Sequence, residues 1–127
     1  MNRKILIMGA VLIILALLCT TEQLLVHSIT GDALAAAQEV IAGIREKRCE
    51  DMLAKAKALD QDWDKRARWL EILVDHSSTD DVRYALSRLI AALEQQDSAT
   101  AMVYACELEG AVEHVYERQA LTLENIL

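Results

Sequence analysis

The chain has 127 residues, 54% of them hydrophobic, with no proline, no phenylalanine and only four glycines. Collagen-like, proline-rich and turn-rich all-β classes all need frequent breakers, so this composition excludes them and leaves a helical chain of one domain. The net charge is −7, and the part from Trp69 onward carries three basic against eleven acidic residues, net −8. Such a surface repels phosphate backbones and excludes nucleic acid as a partner.

Ile5 to Cys19 is an unbroken apolar run of fifteen residues, closed by Thr20, Thr21 and Glu22. With the threonines it spans about 25 Å as a helix, at the short end for crossing a bilayer. A cleaved signal peptide competes, but Ala16-Leu17-Leu18 and Cys19-Thr20-Thr21 are poor cleavage sites. Leu18 before Cys19 also argues against a lipoprotein. Residues 1–21 therefore read as a cytoplasmic tip and an uncleaved signal anchor. Arg3 and Lys4 hold the N-terminus in the cytoplasm, leaving residues 22–127 as an extracytoplasmic bundle.

Four helical stretches follow. The first covers about Glu22 to Lys47, with Leu24, Leu25, Ile29, Leu34, Val40, Ile41 and Ile44 as apolar positions and Thr30-Gly31-Asp32 as a possible kink. The second covers Cys49 to His76, with Met52, Ala56, Leu59, Trp63, Ala67, Leu70 and Val74 on one face. Ser77-Ser78-Thr79-Asp80 reads as a turn with capping-box spacing between Ser78 and Asp81. Val82, Ala85, Leu86, Leu89, Ile90 and Leu93 mark the third helix. Gln95-Gln96-Asp97-Ser98 turns the chain, with Ser98 as N-cap candidate. Ala101, Met102, Ala105, Leu108, Val112 and Val115 mark the fourth, which ends near Arg118 before a short apolar tail, Leu121 to Leu127. The expected fold is all-α: a transmembrane helix, then an antiparallel up-down bundle of about four helices.

The order of these features resembles a small family known only as a domain of unknown function. Its members are membrane-anchored helical proteins of Gram-positive, often spore-forming, bacteria. The matching residues are Trp63, Trp69, Leu73, Asp75-His76, Leu86, Leu89, Leu121-Thr122-Leu123 and Asn125-Ile126-Leu127, so the resemblance runs along essentially the whole chain. The resemblance implies no activity. It implies a membrane partner, because members are often encoded beside small multi-pass membrane proteins. Cys49 and Cys106 fall outside the matching pattern.

Asp75-His76-Ser77-Ser78 contains the residue types of a hydrolase triad. Neighbours on a helix do not face one another, and no nucleophile-elbow glycines are present, so His76 reads instead as a helix-ending cap. No catalytic residue, and no cofactor, is assigned. In an up-down bundle His76 and His114 lie at nearly the same membrane-proximal level, with His27 one to two turns away. A metal or haem site built from His76, His114 and neighbouring Glu113, Glu117 or Asp75 is geometrically conceivable, but no paired spacing on one helix supports ligation, so no metal is assigned. The same rise separates Cys49 from Cys106 by about 28 Å, against the roughly 7 Å that a disulfide allows, so both read as free, partly buried thiols. Cys19 reads as packing at the membrane edge.

Trp63 continues the core stripe. Trp69 is either core or a partner-binding anchor, and Leu123, Ile126 and Leu127 of the tail pose the same choice. The leading functional expectation is a non-catalytic interaction or accessory protein bound to an integral-membrane partner. The alternative is an extracytoplasmic sensor or carrier that takes a metal or small ligand at the membrane-proximal end.

Overall fold

The structure, a computed structural model, describes the backbone of residues 2–73 and 76–126, and the side chains within those spans except 73 and 119–126. It has four helices: α1 Asn2–Arg45, α2 Cys49–Leu73, α3 His76–Glu94 and α4 Ser98–Ile126. The expected all-α architecture is present, and among the described residues there is no strand. Each helix packs against its chain neighbours and α1 closes the ring against α4. Membrane-helix candidate and first bundle helix are a single element.

Thr30-Gly31-Asp32, where the sequence allows a break, does not interrupt the helix. Gly31 costs a helix interior about 1 kcal/mol relative to alanine. The Val26, Ile29, Ala33, Ala37, Val40, Ile44 stripe runs through it without a phase change, so packing outweighs the local preference. Thr30 adds no break, because its hydroxyl donates to the Val26 carbonyl at 2.7 Å inside the same helix. Leu24 and Leu25, expected in the core, are instead exposed, and the core starts at Val26.

The core is otherwise as the spacing predicts. Met52, Ala56, Leu59, Trp63, Ala67 and Leu70 are buried from α2, Val82, Ala85, Leu86, Leu89 and Leu93 from α3, and Ala101, Ala105, Leu108, Val112 and Val115 from α4. Ile90 and Met102 pack at its margin. Val74 lies outside the described residues. Alanine stripes let the helices approach closely, and Gly43 is the extreme case: a Cβ there would fall on the Met52 side chain.

Both turns at the end away from the apolar run use one device. Lys47 (φ 62°) and Gln96 (φ 57°) are left-handed. The Arg48 and Lys47 amides donate to Gly43 and Ile44, while the Asp97 and Gln96 amides donate to Ala92 and Leu93. These are Schellman closures without the usual glycine. The cap of α4 is Asp97 rather than Ser98: its carboxylate accepts from the Thr100 amide at 3.1 Å and the Thr100 hydroxyl at 2.6 Å. Those hydrogen bonds hold its carboxyl below the usual aspartate range. A depressed folded-state pKa gives stability that is present above the unfolded value and lost as pH falls through the folded one. Asp97→Ala is therefore expected to lower the melting temperature at pH 7, with the gap to the parent shrinking on acidification below the aspartate range. Melting curves at several pH values check this, and an equal gap at low pH would contradict the cap.

The other end also differs from expectation. His76 opens α3 instead of ending α2, and the Ser77 to Asp80 segment forms the first turn of that helix. Ser78 and Thr79 are buried there, with the Thr79 hydroxyl donating to the His76 carbonyl at 2.9 Å. The fourth helix does not stop near Arg118. It continues to Ile126, so residues 121–126 of the expected tail are part of α4.

Candidate functional site

Every large apolar side chain from Ile5 to Leu18 is roughly half or more exposed. A helix that is apolar all round and buries nothing against its own protein needs a non-aqueous neighbour. α1 is long and apolar enough to cross a membrane, and this is compatible with a single-pass anchor. The Thr20 and Thr21 hydroxyls donate to the Ala16 and Leu17 carbonyls at 2.8 and 2.7 Å. Their donors are satisfied within the helix, which lets the apolar stretch continue to Thr21.

Cross-helix contacts fix the height of each residue above that stretch. Arg66 of α2 donates to Asp32 of α1 at 2.9 Å, and this bond raises the Arg66 pKa further above its ordinary value, against a smaller opposing effect of desolvation. Three residues on, Trp69 sits one turn closer to the apolar stretch, followed by Ile72 on the same side of the helix. Trp69 is 65% and Ile72 75% exposed. The tryptophan question is thus resolved by position: Trp63 is 1% exposed and its indole N–H donates to the Thr79 carbonyl at 3.4 Å, whereas Trp69 faces outward. Large exposed aromatics beside an aliphatic are the residues that anchor interfaces. Leu123, Ile126 and Leu127, the other partner-binding candidates, fall where no side chain is described.

The histidines do not converge. His76 is 73% exposed, with Nδ1 3.9 Å from Glu71. On α4, Arg118 donates to Ser78 at 3.2 Å, which places His114 about 9 Å from His76 along the bundle axis, not level with it. His27 is nearer the His114 level than expected, because its ring lies 5.2 Å from that of Tyr116. Among the described residues no three His, Cys, Asp or Glu side chains gather as a metal site would require. Asp75, the third triad-type residue, lies outside the described residues. Cys49 and Cys106 are both free. Cys49 is half-buried as expected, whereas Cys106 is exposed rather than partly buried.

Two features were missed in the sequence. Arg83 of α3 reaches Asp64 at 3.4 Å and Glu71 at 3.2 Å on α2, and Asp80 at 3.6 Å, tying the two helices beside Trp69's turn. Asp64 and Glu71 lie 19 and 12 residues from Arg83 on another helix, so no local spacing announces those two contacts. A cleft of about 200 Å³ between α1 and α4 is lined by His27, Thr30, Gly31, Leu34, Val112 and Tyr116, with Glu113 at its edge. Ligand pockets usually exceed about 300 Å³ and enclose their occupant. This open cleft is small for that.

A family model described as Domain of unknown function (DUF4363) matches residues 23–126. The match starts just past the apolar stretch and covers the four-helix bundle. No curated protein and no solved structure matches the chain.

Proposed function

We propose, for a chain that belongs to the DUF4363 family, the role of a non-catalytic, membrane-anchored interaction module. Residues 5–21 are its single-pass anchor, the N-terminus is cytoplasmic, and the bundle stands on the extracytoplasmic side. We read the family likewise as anchored proteins of Gram-positive, often spore-forming, bacteria. The partner is an integral-membrane protein, met at the membrane-proximal end of the bundle.

The observation that carries this reading is the outward-facing pair Trp69 and Ile72 on a helix whose Met52, Ala56, Leu59, Trp63, Ala67 and Leu70 fill the core. The pair contributes nothing to folding that the core stripe does not already supply. It lies close to the anchor, where a bilayer-embedded partner is within reach. Burying two such side chains in an interface is worth about 1.5–3 kcal/mol each for the aliphatic class, and hot-spot tryptophans cost 2 kcal/mol or more when truncated.

Affinity purification of the full-length protein from native membranes in mild detergent tests the proposal. A specific integral-membrane protein is expected with the parent chain, and its recovery is expected to fall at least about tenfold with Trp69→Ala, in line with a 1.4 kcal/mol or larger loss. The variant should keep the parent's helical content and membrane residence. Recovery of no specific membrane protein, or equal recovery with the variant, would contradict the reading.

A further inference from the structure

The length of α4 carries an inference about the bundle's lower edge. His27 and Tyr116 stack at 5.2 Å, so these residues of the antiparallel α1 and α4 share one height. The cleft extending above them repeats that pairing, with Gly31 of α1 and Val112 of α4 both lining it. Each residue added to α4 therefore descends alongside one residue fewer of α1. Ile126, ten residues past Tyr116, comes about 15 Å lower, level with Leu17.

The other two helices stop well before that depth. α2 ends at Leu73, and α3 begins at His76, just beyond the Ser78 that Arg118 contacts. From about residue 120, level with the start of α3, to Ile126 α4 runs past the described ends of α2 and α3 for about 9 Å. Leu17 is inside the apolar run, and Thr20 and Thr21 above it have their hydroxyls satisfied internally. The hydrocarbon core is about 30 Å thick, and Ile5 to Thr21 covers about 25 Å as a helix, so the run has to use its last turn to reach across. Residues 122–126 of α4 consequently lie at the depth of the anchor's last turn. Their stretch of sequence, Leu121-Thr122-Leu123-Glu124-Asn125-Ile126, carries a single charge.

We infer that the last two turns of α4 pass through the headgroup layer and enter the top of the hydrocarbon beside α1, a second lipid contact. This rests on the anchor assignment of the proposed function but not on any protein partner. The bilayer is the occupant because the depth is set by the chain's own apolar helix, whereas a partner or a second copy would be needed equally at any height. Two points of attachment hold the bundle in one rotational setting over the membrane, so that Trp69 presents to one side.

Site-directed labelling of the full chain tests this in zwitterionic phosphatidylcholine vesicles, which do not repel the acidic bundle. In a background carrying Cys19→Ala, Cys49→Ala and Cys106→Ala, an environment-sensitive fluorophore is placed in turn at Thr122→Cys, Leu123→Cys and Asn125→Cys, which sample different sides of the helix. Leu12→Cys reports the anchor and Ser87→Cys, exposed on α3, the solvent. Blue-shifted emission, quenched by a nitroxide near the headgroup on the lipid but not by aqueous iodide, is expected for at least one α4 position and for Leu12→Cys with deeper nitroxides. Circular dichroism confirms that each variant is folded. Iodide quenching at all three α4 positions with Leu12→Cys embedded would overturn this inference alone. Shielding from both quenchers would overturn it in favour of a protein neighbour. Aqueous behaviour at Leu12→Cys would overturn the anchor and this inference together.

Discussion

Trp63→Ala is expected to cost the bundle about 3–5 kcal/mol, the largest effect of any single core truncation. Trp63 is the largest fully buried side chain, at 1% exposure, in the middle of the α2 stripe. Its surroundings come from helices lined largely by alanine, including Ala33, Ala37, Ala56 and Ala67, which cannot move in to refill the space. The change also removes the indole N–H bond to Thr79, one of the ties between α2 and the first turn of α3. Domains of this size are stable by about 5–15 kcal/mol, so such a loss consumes much of the total. Trp69→Ala, on the same helix and chemically identical, is expected to stay within about 0.5 kcal/mol because the side chain is at the surface. Denaturant unfolding of the full-length variants in detergent, followed by far-ultraviolet circular dichroism, reads both. Equal losses for the two tryptophans would contradict the assignment of one to the core and the other to an interface.

Leu12→Asp with Leu15→Asp is expected to release the protein from membranes. An aspartate near the centre of a spanning helix costs about 2.5–3.5 kcal/mol on the insertion scale, while each leucine or isoleucine contributes only about −0.3 to −0.6. Two aspartates thus offset most of what a fifteen-residue run supplies. Leu12 and Leu15 are 62% and 53% exposed and touch none of the core, so the released bundle should remain folded. Carbonate extraction and sedimentation distinguish the variant from the parent. A variant still resistant to carbonate would mean that something other than Ile5 to Thr21 holds the protein in the membrane.

The parts of the fold that could be read from sequence are those written in repeating local spacing. The stripes from Met52 to Leu70 and from Val82 to Leu93 emerged nearly residue for residue, because a three- or four-residue apolar period admits one buried face. Where single residues suggested a break, packing decided otherwise. Gly31 sits unbroken inside α1, and the Ser77 to Asp80 segment, rich in capping residues, became a helical turn. The true turns hid in the opposite way. They place Lys47 and Gln96 in the left-handed region, where glycine would be the usual signal, while all four glycines lie inside helices.

Site residues were legible only as alternatives. Sequence allowed Trp69 to be core or surface, since the side of α2 on which α3 packs depends on long-range geometry. The approach of His27 to Tyr116 and the reach of Arg83 to Asp64 and Glu71 likewise join residues with no spacing relationship. The height of α4's end could not be read at all, because it depends on both the α1–α4 register and the helix continuing past Arg118.

The central claim is an uncleaved anchor with the bundle outside the cell, and Cys106 reports on both halves of it. This thiol is exposed on α4, well away from the apolar stretch. Intact cells expressing the Cys19→Ala chain are treated with a membrane-impermeant maleimide, and the protein is then isolated and its mass and labelled peptide determined. The account predicts labelling at Cys106 before lysis, on a chain that retains residues 1–21. Labelling only after lysis, or a labelled chain cut near residues 19–22, would contradict it.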